Sequence, residues 1–285
     1  MPRRRFAALI TFLAVTFGVT WGWDGALAVL GMRVTPGEGW PTQALGAFGP
    51  LLGALAASLV LGREALRVWA HRLVLLRGPV WLWLGALGAP VLVFGLAAVF
   101  DPIHWLDLGR FSGLRTWPWP LTLLALLVIA GVAEEAGWRG WLLPWLLPRF
   151  SPLAAASIVS VVWALWHVPM FFLVQNYRDA GVAFVPVFVA SLWCGSVVLT
   201  WLWLRSGGST LLAILWHGSY DLLAGSAASA GAAGLAVNVL IDTAGVFLAI
   251  AELRMRRHGR TLFPALDRAS VRGRVRKPGR DLASG

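Results

Sequence analysis

The chain opens on Arg3, Arg4 and Arg5 and then turns apolar for long enough to cross a bilayer, which takes about 20 residues of helix. Runs of the same kind recur to within a few dozen residues of the C-terminus. They predict spanning helices over 6–30, 42–62, 79–100, 120–143, 152–175, 182–204, 209–225 and 232–252. Residues 63–77 read differently. Arg63, Arg67 and His71 recur four apart, with Leu66, Trp69, Leu73 and Leu76 at the remaining positions, which predicts a basic amphipathic helix lying on the membrane surface. The fold class expected is all-α, a polytopic membrane bundle of about eight transmembrane helices. A multi-span domain fills 1–253, with the site region at 120–225. A basic tail over 254–285, containing Pro264 and Pro278, is expected to be flexible and to lie near anionic lipid.

Composition sharpens this picture. The 285 residues are 58% hydrophobic and 13% charged, where a soluble domain uses about 25% charged residues to cover its surface. A net charge of +11 raises nucleic acid as a partner. The basic residues stand at span ends and in the tail, however, where lipid-flanking arginines belong, so the expected partners are membrane lipids and not nucleic acid. With the N-terminus in the cytoplasm, the outer segments hold only Arg33, Arg110, Arg115 and Arg178. Every other Lys and Arg except Arg139 is cytoplasmic, as the positive-inside rule requires. Both termini are then cytoplasmic, and the expected address is a bacterial plasma membrane. The first run carries Ala26-Leu27-Ala28, a pattern of small residues like that at a signal-peptide cleavage site, but its apolar core exceeds the usual ~7–15 residues and is read as an uncleaved span. Trp105, Trp117 and Trp119 fit an outer aromatic belt. The single cysteine, Cys194, reads as a small buried side chain.

Ionisable groups inside spans cost several kcal/mol, so each raises a functional hypothesis. Glu134, Glu135, Arg139, His167, His217 and Asp221 fall near span centres, Asp242 less clearly so, and Asp24 near the outer interface. Glu135 and Arg139 are four apart, with the acid on the favourable N-terminal side, and form a neutralising pair. Glu134 is turned about 100° away and is left as a spare carboxylate, suited to act as a general base on water. Pro169 frees a backbone carbonyl and predicts a break in the helix near His167. His217 and Asp221 share one helical face, either as an oriented imidazole or as a polar clamp beside the small Gly218 and Ser219. Two histidines and a carboxylate from three helices can converge in a bundle interior and activate a water. His167, His217 and Glu134 also match a zinc site with an open position, although no His-Glu-x-x-His helix is present. A proton relay in a transporter uses the same residue types. The chain shows no internal repeat of the kind many transporters carry.

The ordered set Glu134-Glu135-x-x-x-Arg139, Trp163-x-x-x-His167 and His217-x-x-x-Asp221 resembles the CAAX prenyl endopeptidase and bacteriocin-processing (Abi) family of intramembrane proteases over about 120–225. That resemblance implies peptide-bond hydrolysis within the membrane, on a peptide or membrane-protein substrate. It implies that Glu134 activates water with help from His167, that His217 and Asp221 stabilise the oxyanion, and that Glu135 and Arg139 support the site. It leaves the metal open, either none or Zn2+, and equally admits a catalytically silent scaffold or immunity protein of the same fold. The chain departs from the family pattern twice. Trp163 stands where the family often has Phe, and Asp221 where it often has Asn. An ionised Asp221 cannot donate to an oxyanion, so it acts either protonated or by orienting His217.

Overall fold

The structure is a computed structural model that describes residues 2–100 and 105–264. It is an all-helical bundle, and among the described residues only two isolated β-bridges break the helical rule. We number the helices α1 (Pro2–Val29), α2 (Gly49–Leu61), α3 (Arg63–Val74), α4 (Val80–Phe100), α5 (Trp119–Leu146), α6 (Pro152–Trp166), α7 (Met170–Leu173), α8 (Gln175–Ala180), α9 (Val185–Arg205), α10 (Thr210–Gly225) and α11 (Ala232–Arg257). Each predicted apolar run is helical. Six helical stretches are long and apolar enough to cross a membrane: α1, α4, α5, α6 with α7, α9 with its leading turn, and α11. The chain is a multi-pass membrane protein. The two runs that fall short are Gly46–Leu61 and the 16-residue α10.

Local chemistry accounts for the boundaries. Ser151 caps α6 by accepting from the Ala154 amide, with Pro152 in the first turn. Ser209 caps α10 by accepting from the Leu212 amide. Between α9 and α10 the chain reverses at Gly207 and Gly208, both at positive φ, where a side chain would be strained. The amphipathic helix appears as α3, with Arg63, Arg67 and His71 exposed and Trp69 buried. Its last turn stops at Val74, so Leu76 and Arg77 are not helical.

Two regions differ from expectation. The run 120–143 is one long helix, but two π-helical stretches interrupt it. It is π-helical over Leu127–Val132, α-helical over Ala133–Gly137 and π-helical again over Trp138–Leu142. Such widened turns concentrate at functional sites. The expected tail also begins later than 254. α11 runs through Arg257, and the chain then folds back so that Thr261 and the Leu262 amide donate to the buried Glu252 carboxylate. Phe263 is 1% exposed. A buried carboxylate collects donors, and that outweighs the flexible character of the composition there. The remainder of the tail, 265–285, lies outside the described residues.

Close approach between α5 and α10 positions the polar groups. A Cβ on Gly131 would sit 2.7 Å from the Ile214 carbonyl oxygen, and one on Gly218 would sit 2.9 Å from the Leu127 Cα. Small residues let helix backbones touch in this way. On the opposite side of α5, Gly137 meets Pro50 of α2. α5 is therefore gripped from two directions around Glu134 and Glu135.

Candidate functional site

The helical segment Ala133–Gly137 is buried throughout, and both its glutamates point into protein. Glu135 is 0% exposed. Its Oε1 accepts from Arg139 Nη1 at 2.9 Å and from His217 Nδ1 at 2.9 Å. The expected pair is present, then, and has a third member from α10. Arg139, also fully buried, lays its guanidinium 4.7 Å from the Trp163 ring centroid. A buried cation so placed has a carboxylate on one side and an aromatic face on the other.

The structure reassigns the partner of His217. Asp221 lies 3.8 Å from its Nε2, too far for a hydrogen bond, while Glu135 holds Nδ1 directly. The four-residue spacing does put His217 and Asp221 on one face, but the closer carboxylate comes from another helix. Asp221 is the more exposed of the two, with 23% of its side chain accessible.

Glu134 is 7% exposed and takes its partner from α6: Trp163 Nε1 donates to Oε2 at 2.8 Å. His167 stands where α6 ends. Pro169 follows it, and the helix resumes as α7 at Met170. The expected break is there. His167 Nδ1 lies 2.8 Å from the Trp163 carbonyl oxygen. A carbonyl only accepts, so Nδ1 carries the hydrogen and Nε2 keeps the lone pair. The end of α6 is tied to α1, because Trp166 Nε1 donates to Thr20 Oγ1 at 2.7 Å and Trp21 Nε1 donates to the Trp166 carbonyl. Past α7, Val34 pairs with Leu173 and Gln175 through backbone hydrogen bonds.

The structure thus brings Glu134, Glu135, Arg139, His167 and His217 around Trp163, with Asp221 at the rim. No direct hydrogen bond joins Glu134 to His167 among the described residues; both are held by Trp163. No group of three His, Cys, Asp or Glu side chains in the described residues is arranged to hold a metal ion. His167, His217 and Glu134 each have one polar atom committed to the protein, through Nδ1, Nδ1 and Oε2, and Nε2 of both rings and Oε1 of Glu134 remain uncommitted. Asp242 and Asp24 lie elsewhere. Asp242 accepts from Ser191 at 2.7 Å, and Asp24 is buried beside Gly46.

Two contributors were given no role from the sequence. Trp163 marked the start of a motif, and nothing in one helix reveals that its N–H reaches a glutamate on another. Tyr177 sits among Phe171, Phe184 and Phe188, and Phe188 in turn packs 5.2 Å from the His167 ring. Burial first, and then the charges of Asp221 and Glu134, hold the Tyr177 phenol above the ordinary tyrosine range, so it faces the same centre. It lies in the short α8, where no periodicity sets it apart.

Comparison with known proteins agrees with the three motifs. Residues 116–223 match the family model described as type II CAAX prenyl endopeptidase Rce1-like. Over 105 residues the chain is 31% identical to CAAX prenyl protease 2 of Methanococcus maripaludis, a match that covers 33% of this chain and 36% of that protein. That match spans about a third of the relative, and the family match over 116–223 takes in every residue of the site.

Proposed function

We propose that the protein is a CAAX-type intramembrane endopeptidase that hydrolyses peptide bonds with water activated by Glu134. The observation that carries this reading is the convergence of Glu134, His167 and His217 from three helices on Trp163, within the matched stretch. In the proposed reaction the Glu134 carboxylate takes one proton from a water, and the water oxygen bonds to the peptide carbonyl carbon. His217 acts as the imidazolium, donating from Nδ1 to Glu135 and presenting its Nε2–H to the developing oxyanion. The C–N bond then breaks and the proton passes from Glu134 to the leaving amine. His167 uses Nε2 to orient the water. Asp221, 3.8 Å from His217 Nε2, acts on that ring by charge and not as a donor. Substrates are peptides or proteins presented at the membrane, and the basic N-terminus and post-α11 segment face the cytoplasm.

The test is cleavage of a membrane-anchored fluorogenic peptide library by the purified protein in nanodiscs. Glu134→Gln is expected to lose activity about 10²- to 10⁴-fold, the usual contribution of a general base, with His167→Ala close behind. A strong zinc chelator is expected to leave the wild-type rate unchanged. Full activity in Glu134→Gln would sink the mechanism, and chelator-sensitive activity would reassign the chemistry to a metal.

A further inference from the structure

Trp163 touches four members of the site at once. Its Nε1–H donates to Glu134 Oε2 at 2.8 Å, and the Arg139 guanidinium lies 4.7 Å from its ring centroid. Its ring meets His217 in a T-shaped contact at 5.3 Å, and its carbonyl receives His167 Nδ1 at 2.8 Å. Three of these four contacts survive replacement by phenylalanine, because they use the ring or the backbone. Only the bond to Glu134 needs an indole.

That bond bears on the chemistry. A carboxylate has two oxygens and a broad terminal torsion, so an unanchored Glu presents either oxygen over a wide arc. A general base must lie within hydrogen-bond reach of the proton it takes, and a misplacement of about 1 Å costs on the order of 100-fold in rate. Among the described residues Glu134 accepts one hydrogen bond, the one from Trp163, and its Oε1 accepts none. No group of its own helix holds it.

We infer that Trp163 is a positioning residue of this site, its indole N–H anchoring Glu134 by Oε2 so that Oε1 faces the reacting water. The inference rests on Glu134 being the base. It assigns this chain a device that the phenylalanine common at this motif position cannot supply. The tryptophan ring also shields Arg139, so the anchor and the cover over the Glu135–Arg139 pair come from one side chain.

The experiment uses the full chain in nanodiscs and has two readouts. In ¹⁵N-indole spectra the resonance missing from Trp163→Phe identifies Trp163. Glu134→Leu, which removes the acceptor, is expected to shift that resonance and speed its hydrogen exchange. An unmoved resonance would overturn the inference without any need for turnover. In cleavage assays Trp163→Phe is expected to lower kcat about 10- to 100-fold, with KM and thermal midpoint nearly unchanged. Replacement of Trp163 by 3-benzothienylalanine, which keeps the bicycle and puts sulfur where the N–H was, is expected to match Trp163→Phe. Wild-type kcat in both forms, with Glu134→Gln inactive, would overturn the positioning role and leave the protease reading intact. Wild-type activity in Glu134→Gln would bring down both.

Discussion

Helices α4 and α5 look alike as strings of apolar residues, and they do opposite jobs. In the most apolar 18 residues of α4 only 17% are buried, against 56% in α5. α4 is regular apart from Pro90, and added Cβ atoms at Gly85, Gly88 or Gly95 would meet nothing within 4 Å. α5 contains two π-helical stretches, and its Gly131 and Gly137 are in contact with backbone of other helices. Both helices satisfy the bilayer's demand for internal hydrogen bonding. α5 also has to carry three charged side chains through an apolar medium, and it does so by widening its turns and drawing its neighbours close. Where a spanning helix departs from regularity, the departure is set by what it holds.

The largest test of that contrast pairs Arg139→Leu with Leu92→Ala. Arg139 is 0% exposed and hydrogen-bonded to Glu135, and removing one partner of a buried pair costs about 3–5 kcal/mol. Leu92 on α4 is 62% exposed, and its truncation is expected to cost about 0.5 kcal/mol or less. Unfolding in mixed micelles with increasing denaturing detergent reads both. Equal losses would mean that the two helices do not differ in the way the burial implies.

A smaller effect of the same kind separates the glycines. Gly131→Ala would bring a methyl group to 2.7 Å from the Ile214 carbonyl oxygen, and overpacking of this sort costs about 1–3 kcal/mol. Because that contact sets the distance from Glu135 to His217, cleavage should fall along with stability. Gly88→Ala on α4 has open space around it and is expected to stabilise by about 0.5–1 kcal/mol through helix propensity, with no change in rate. A rate loss in Gly88→Ala, or a silent Gly131→Ala, would break the link between close packing and the site.

Some of this was legible in the chain and some was not, for reasons that the same two helices illustrate. Hydropathy marks a span because lipid contact is a property of single residues, so all eight runs are helical. The Glu135–Arg139 pair is legible because four-residue spacing fixes it within one helix. The π-helical turns of α5 are invisible to the same reasoning, since Leu127–Val132 is as apolar in either register. His217 shows the limit most plainly. Its own helix offers Asp221, and tertiary packing supplies Glu135 at 2.9 Å. Glu134 likewise finds its partner in Trp163, 29 residues along the chain. Residues from different helices meet according to how the helices pack, and spacing within one helix does not encode that. Residues 254–264 differ for another reason: composition reports charge, but not the buried Glu252 carboxylate that Thr261 and the Leu262 amide close over.

The smallest expected effect sharpens the comparison from outside the two helices. Trp69 of α3 donates its Nε1–H to the Ala136 carbonyl oxygen at 2.9 Å, one residue from Glu135. The basic amphipathic helix is thereby fastened to the irregular part of α5, while its Arg63 and Arg67 stay exposed. Trp69→Phe keeps most of the apolar contact and removes one hydrogen bond, so it should cost about 0.5–1.5 kcal/mol. The peptide-cleavage rate should change less than it does in Gly131→Ala, because the 133–137 segment is packed by α2 and α10 as well as by α3. Hydrogen exchange of the 133–137 amides decides the matter. Faster exchange confined to that segment means that α3 stabilises the site locally. Unchanged exchange means that the grip of α2 and α10 is sufficient, and that α3 contributes only to the overall stability of the bundle.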